Sequence, residues 1–116
     1  MRNKKKLLLE QLDRKIAPLK VLTKTPVPEQ GWIHAIRVAL NMTLEQLGYK
    51  LGKTKQGIKK IEEREATGTV SLNVLKQVAE ALDMQLVYGF VPKQGSMEKL
   101  VDQRAQQLAR KIVLRT

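Results

Sequence analysis

The sequence predicts a mostly α-helical protein with an amino-terminal helical arm, one carboxy-terminal β-strand and a final helix. Along most of its 116 residues, apolar side chains recur at intervals of three and four, which is the spacing of one helix face. A threonine or a serine stands before several of these stretches, where helices are commonly capped. Residues 85–91 are rich in β-branched and aromatic side chains and alternate with the period of a strand. A chain of this length has room for one domain.

Residues 1–30 are expected to be a basic helical arm followed by a linker. From Leu8 onward, apolar residues recur at helical spacing, which predicts a helix over about residues 4–17. Pro18 favours the end of this helix, because a proline disfavours helical geometry in the residue before it. Two prolines within residues 25–28 remove backbone donors and favour extended backbone, so these residues predict a stiff linker.

Residues 31–83 contain four short helical stretches. The first runs from Trp32 to Leu40. The second opens at Thr43, three residues before a glutamine, which is the pattern of a capping box. The third and the fourth open at Thr54 and Ser71. The residues expected on the inward faces are Trp32, Ile33, Ile36, Ala39, Leu40, Leu44, Leu47, Leu51, Ile58, Ile61, Leu72, Leu75, Val78, Ala79 and Leu82.

Residues 84–116 are expected to hold the strand, a last helix and a dimer contact. The strand places Leu86, Tyr88 and Phe90 on one face. A lone strand is unstable and the chain has no second strand candidate, so its natural partner is the same strand of a second copy across a two-fold axis. These three side chains are therefore the predicted dimer contact. Ser96 is expected to cap the last helix, whose apolar face consists of Met97, Leu100, Val101, Leu108 and Ile112.

The formal net charge of +11 is large for a 13.2 kDa chain and indicates an anionic partner, for which nucleic acid is the first candidate. Residues 1–24 carry +6 of this charge. Aromatic residues make up only 3% of the chain, which argues against the stacking platforms of single-strand binders and favours a duplex. A rival interpretation is a basic peptide that binds a membrane surface or RNA, since the amino terminus is lysine-rich and amphipathic.

Several classes of function are disfavoured by what the chain lacks. It has no cysteine and a single histidine, so we expect no metal site, no cofactor and no enzymatic activity. His34 has no neighbouring catalytic partner and is expected at the surface. No apolar run approaches the length of a membrane span or of a secretory signal. The chain is therefore expected in the cytoplasm, associated with the nucleoid when it is bound to DNA.

The second and third helices of residues 31–83 are separated by about three residues, which is the helix-turn-helix arrangement. The later helix of such a pair lies in the major groove of duplex DNA. Glutamine pairs there with adenine, and lysine donates to guanine. The alternative is a solvated lysine face on a structural helix. Because Ile58 and Ile61 face inward, the outward residues expected to read bases are Lys55, Gln56, Lys59 and Lys60.

A resemblance to a known family extends along the chain in a series of short strings. They are Leu12-Asp13-Arg14, Gly31-Trp32-Ile33, Met42-Thr43-Leu44-Glu45-Gln46-Leu47, Ile61-Glu62-Glu63-Arg64-Glu65, Ala79-Glu80-Ala81-Leu82 and Leu86-Val87-Tyr88. Residues 31–83 are similar to the Cro/C1-type (XRE) helix-turn-helix family, and the whole chain resembles the mobile mystery protein A family. The resemblance implies a five-helix λ-repressor-like helix-turn-helix domain. It also implies a partner with a Fic-type fold, in a toxin–antitoxin-like pair.

The resemblance also suggests roles for single residues. It places the DNA-reading positions within residues 54–60 and implies that Thr43 contacts phosphate, as we also expect of Lys53 and Thr54. It pairs Arg37 with Glu62 as a partly buried ion pair, and the alternative for Arg37 is a phosphate contact.

Two glycines and the tryptophan complete these expectations. Gly48 stands where many relatives have alanine, and a glycine destabilises a helix by about 1 kcal/mol relative to alanine. It is therefore expected to loosen the seating of the third helix, whereas Gly57 is expected where the two helices come closest. Trp32 is expected in the core or against the linker.

The predicted function is that of a homodimeric, sequence-specific repressor that binds a double-stranded DNA operator and autoregulates an operon shared with a Fic-type partner. The alternative is an antitoxin that acts mainly by direct occlusion of a toxin, with DNA binding secondary. Two functions stay open for the basic arm. It either contacts DNA beside the operator or docks through its leucines on a protein partner or the other protomer.

Overall fold

The computed structural model describes residues 4–115, and their side chains through residue 113. Helices account for most of these residues, as the sequence predicts, and none of them is assigned to a β-strand. A 3₁₀ helix spans Ala17–Lys24. The α-helices are α1 (Lys4–Ile16), α2 (Trp32–Ala39), α3 (Leu44–Leu51), α4 (Lys55–Thr67), α5 (Leu72–Ala81) and α6 (Met97–Arg115).

The chain forms two compact units. Residues 26–87, here the central unit, contain α2 to α5. Residues 4–25 and 88–115, here the terminal unit, contain α1, the 3₁₀ helix and α6. The central unit therefore has four helices, as the apolar periodicity predicts, and not the five that the family resemblance implies.

The core of the central unit is small and wholly aliphatic. The side chains of Leu47, Ile58 and Val78 are completely enclosed. They hold α3, α4 and α5 together, since each of these helices contributes one of the three. The other buried members of the core are Ile33, Ile61 and Leu82.

Three helices of the central unit begin at the predicted caps. The hydroxyl oxygens of Thr43, Thr54 and Ser71 each accept a hydrogen bond from the backbone N–H three residues later, at 3.0 to 3.1 Å. At Thr43 the capping box is complete, because the Gln46 side chain also accepts the Thr43 N–H, at 2.8 Å. These starts are fixed locally, so the sequence alone was sufficient to predict them.

In the terminal unit α1 packs along α6. Asp13, near the end of α1, accepts the backbone N–H of Met97 at 2.7 Å, while Lys5 and Lys6 line a groove with Asp102. The two helices are therefore antiparallel. Pro18 ends α1 as predicted, but the chain continues into the 3₁₀ helix, because proline is tolerated in the first turn of a helix.

The prediction of a strand over residues 85–91 is wrong. These residues have no regular secondary structure, and residues 4–115 offer no strand with which they could form a ladder. Leu86 is half-buried, whereas Tyr88 and Phe90 are exposed, Phe90 by 86%. Alternation with period two indicates which residues could share one face of a strand. A β-strand also requires hydrogen bonds to a second strand, which the alternation does not predict.

Some residues expected to face inward are exposed instead. Trp32 is the first residue of α2, where only one side of the helix meets the core, and its side chain is 46% exposed. Leu108 and Ile112 are exposed because they lie in the second half of α6, beyond the groove that α1 lines. The other inward predictions that the structure places at the surface are Ala39, Leu40 and Leu72.

Candidate nucleic-acid interface

The turn between α3 and α4 is short and closely hydrogen-bonded. Gly52 ends α3 in the left-handed conformation, at φ 65°, which favours glycine. The Lys53 N–H then donates to the Gly48 carbonyl at 2.8 Å, and Thr54 caps α4. Three residues therefore reverse the chain, and the start of α4 is fixed relative to α3.

Gly48 is the point of closest approach between α3 and this turn. It is buried, and a Cβ added to it would lie 2.5 Å from the Lys53 carbonyl oxygen, a backbone atom that cannot easily move. The same atom added to Gly57 would lie 3.3 Å from the Thr54 hydroxyl. The expectations for the two glycines are thus reversed. Gly48 permits the tight turn and does not loosen the seating of α4, while Gly57 is under less constraint.

The first two turns of α4 present polar side chains to solvent. Ile58 and Ile61 point into the core, and the residues between and before them point outward. Lys50 and Lys53, on α3 and the turn, are exposed beside them. The hydroxyls of Thr43 and Thr54 accept helix N–H groups and keep their own proton for a further acceptor. The exposed residues of this surface on α4, here the α4 face, are Lys55, Gln56, Lys59 and Lys60.

An acidic side chain of α3 lies beside the α4 face. The Glu45 carboxylate is 3.9 Å from the Lys55 ammonium, and both side chains are more than half exposed. Sequence reasoning missed this pair, because the lysine-rich run of residues 50–60 contains no acid and Glu45 precedes it by five positions. No local pattern in the sequence signals this pair, because its two residues lie on different helices.

Arg37 and Glu62 join α2 to α4 beneath this surface. The Arg37 Nε donates to Glu62 Oε2 at 2.6 Å, and its Nη1 donates to the Met42 carbonyl at 2.9 Å. Both side chains are buried. The guanidinium therefore donates to acceptors inside the protein, and the two residues of the expected ion pair are in contact.

His34 belongs to the same network. Its Nδ1 lies 2.9 Å from Glu62 Oε1, and its side chain is only 31% exposed, so it is not the free surface histidine that the sequence suggested. Burial raises the pKa of the Glu62 carboxyl, but the hydrogen bonds from Arg37 and His34 and the charge on Arg37 outweigh it, so the pKa falls below its ordinary value of 4.5. Glu62 is thus held as a carboxylate between two donors.

A second carboxylate of α4 caps α2. The backbone N–H groups of Trp32 and Ile33 donate to the two oxygens of Glu65, at 2.9 and 2.8 Å. Gly31 precedes them at φ 92°, and a Cβ there would lie 2.8 Å from the Glu65 carboxylate. Sequence reasoning assigned Glu65 no role. The signal was α2 itself, which begins after a glycine and so has no capping side chain of its own.

One comparison with known proteins finds a match in the central part of the chain. Residues 33–88 match a family model described as helix-turn-helix, which corresponds to the Cro/C1 type of DNA-binding domain. No curated protein and no solved structure matches the chain. None of the described helices is long and apolar enough to cross a membrane. The matched residues include α3, the three-residue turn and α4, so residues 33–88 are similar to a helix-turn-helix domain over the part of the chain that contains these two helices.

Proposed function

We propose that the chain is a sequence-specific transcriptional regulator, acting as a repressor, that binds duplex DNA through the α4 face. This proposal rests on one observation. Hydrogen bonds of the turn fix the start of α4 relative to α3, and the first two turns of α4 expose four side chains that can form hydrogen bonds. Gln56 offers the donor and acceptor that match adenine, and Lys55, Lys59 and Lys60 offer donors to guanine. Thr43, Lys53 and Thr54 are exposed at the start of α3 and in the turn before α4, which supports contacts with the flanking phosphates.

Selection of bound duplexes from a random pool tests this function. Several rounds with the full chain should enrich one sequence, which the chain then binds at least about 10³-fold more tightly than a scrambled duplex of the same length. A pool that stays random through selection would contradict sequence-specific binding.

The regulator is proposed to act as a homodimer. Tyr88 and Phe90 are large, exposed and close together in the sequence, which favours a contact with a second copy, and Leu86, two residues before Tyr88, is half-buried. A dimer places two α4 helices in successive major grooves, about 34 Å apart. Sedimentation equilibrium should give twice the chain mass, and Tyr88→Ser/Phe90→Ser should give the chain mass. A native protein that stays monomeric at every concentration would contradict the dimer.

A second candidate function is that of an antitoxin. The terminal unit exposes apolar side chains on both of its α-helices, among them Leu8, Leu12, Leu108 and Ile112, which suits contact with another protein. The resemblance to the mobile mystery protein A family suggests a Fic-type protein as the partner. Co-expression with a Fic-type protein encoded beside this chain should yield a complex that survives size-exclusion chromatography, and separate elution of the two proteins would contradict it.

A further inference from the structure

The two units differ sharply in charge. Residues 4–25 and 88–115 contain thirteen lysines and arginines and four acidic residues, a formal charge of +9. Residues 26–87 contain eight basic and seven acidic residues, a formal charge of +1. The helix-turn-helix domain is thus nearly neutral, and the charge that would attract a polyanion lies almost entirely outside it.

The basic and acidic side chains of the terminal unit also differ in exposure. Every lysine and arginine of this unit through residue 113 is exposed. By contrast, Asp13 caps α6, and Glu98 and Asp102 line the groove between α1 and α6. Three of the four acidic side chains are at least half-buried, Asp102 being the exception. The charged side chains that the unit exposes are therefore mostly cationic.

We propose that the terminal unit is a second, sequence-independent DNA-binding surface, which holds the phosphate backbone of duplex DNA while the helix-turn-helix domain supplies the base preference. This inference rests on the proposed function, because the same duplex serves both units. Sequence-independent affinity comes from neutralising phosphates, and each lysine or arginine that does so releases bound cations from the duplex. A domain of charge +1 supplies little of this attraction over its whole surface, whereas the terminal unit supplies it from two helices.

The groups that anchor α6 are not the basic side chains of its second half. The helix is held by Asp13 and by the Ser96 hydroxyl, which accepts the Lys99 N–H at 3.1 Å. Beyond Asp102, the sequence of α6 has four basic residues, Arg104, Arg110, Lys111 and Arg115, but no acidic residue. Neutralising exposed basic residues there should therefore change the charge of the surface and leave the packing of α1 on α6 intact.

The test compares the salt dependence of binding for two variants of the full chain. The first, Lys15→Gln/Lys20→Gln/Arg110→Gln/Lys111→Gln, removes four exposed charges from the terminal unit. The control, Lys76→Gln, removes an exposed charge from α5 in the central unit, away from α3 and α4. Binding to a fluorescent duplex of arbitrary sequence is measured by anisotropy over a series of NaCl concentrations.

The fourfold variant should bind this duplex more weakly at low salt. Its plot of log affinity against log salt should be less steep, by about 0.9 for each phosphate that is no longer neutralised. Lys76→Gln should leave the slope unchanged. An unchanged slope in the fourfold variant would overturn the proposal. If its helical circular dichroism or melting temperature falls, Lys20→Gln/Lys24→Gln, confined to the 3₁₀ helix, repeats the measurement outside α1 and α6.

Two further results separate this proposal from its rivals. In the first, vesicles of phosphatidylcholine and phosphatidylserine are titrated with the native chain. Binding to the vesicles, together with an unchanged salt slope for DNA in the fourfold variant, would assign the cationic surface to a membrane and overturn the proposal. Failure of the random-pool selection would remove the base preference of the helix-turn-helix domain. A reduced slope on a duplex of arbitrary sequence would still support DNA binding by the terminal unit in that case, so failure of one proposal can be distinguished from failure of the other.

Discussion

Gln56 lies in the first turn of α4 and Lys53 in the loop just before it, and their side chains are expected to make different contacts with DNA. The Gln56 amide has a donor and an acceptor in one plane, so Gln56→Ala should relax base preference at one position of the selected duplex, by about 1 to 3 kcal/mol of discrimination. The salt slope should barely change, because no charge is removed. Affinities for single-base variants of the duplex measure the effect. Uniform weakening on every sequence would contradict a reading role.

Lys53 offers a single charge at the turn and is the matched counterpart. Lys53→Ala should weaken binding about equally on all sequences and reduce the salt slope by about 1, because one phosphate is left without its cationic partner. The same set of duplexes, titrated at several salt concentrations, provides the measurement. A change of base preference together with an unaltered slope would assign Lys53 to base reading instead.

Glu62 is the residue that ties α4 to α2, since its carboxylate binds both Arg37 and His34. Glu62→Gln should lower the free energy of unfolding by about 3 kcal/mol at neutral pH, because it leaves the buried Arg37 charge unpaired. Thermal or urea denaturation measures this loss. Glu63→Gln, at an exposed neighbouring carboxylate, is the control and should change stability little.

The same carboxylate predicts a pH dependence. Its pKa is lower in the folded chain than the ordinary value of 4.5, so its contribution to stability is complete above that pH and is lost as the pH falls through the folded value. The stability difference between the native chain and Glu62→Gln should therefore shrink on acidification below about pH 4.5. A difference that stays constant down to acid unfolding would contradict the assignment.

At the scale of elements, the seating of α4 depends on the tight turn that follows α3. Gly48→Ala would ordinarily strengthen a helix by about 1 kcal/mol, but here the added Cβ meets the Lys53 carbonyl oxygen. We expect a net loss of about 1 to 3 kcal/mol in the free energy of unfolding, because the turn must shift. Gly57→Ala is the control and should be close to neutral. A Gly48→Ala variant more stable than the native chain would show that the turn yields easily.

The α1–α6 pair offers a second test at this scale. Asp13→Ala removes the acceptor of the Met97 N–H, so the first turn of α6 should fray. The free energy of unfolding of the α1–α6 pair should fall by about 1 kcal/mol. Amide hydrogen exchange at Met97 and Glu98 should accelerate, while exchange in the central unit stays unchanged. Asp102→Ala removes an equal charge from the exposed acid of α6 and is the control. Equal exchange in both variants would contradict the cap.

Elements whose determinants are local were predictable from the sequence. The starts of α3, α4 and α5 follow from a hydroxyl residue and the apolar period after it. The carboxylate caps of α2 and α6 were not predictable, because Glu65 and Asp13 lie 32 or more positions from the N–H groups that they accept. The strand failed for a related reason, since the pattern of residues 85–91 says nothing about whether a second strand exists.

For the molecule as a whole, the net charge indicated a polyanionic partner but did not show how the charge is distributed between the two units. The sequence drew attention to the lysines of residues 50–60, which are exposed, and to the basic arm. It did not show that the eight basic residues of the central unit, these lysines among them, are nearly cancelled by seven acidic residues of the same unit. It also did not show that the arm is one half of a helical pair whose other half, α6, is itself basic in its second part. Both facts require knowing which residues share a unit.

Because Glu65 of α4 caps α2 at Trp32, the fluorescence of this tryptophan should report movement of α4. Trp32 is the only tryptophan in the chain, and its backbone N–H is bound by a carboxylate near the end of the helix proposed to read bases. Any tilt of α4 would disturb that bond and the surroundings of the half-exposed indole. The intrinsic fluorescence of the unlabelled protein should thus reveal whether α4 shifts when DNA is added, without the introduction of a single foreign atom.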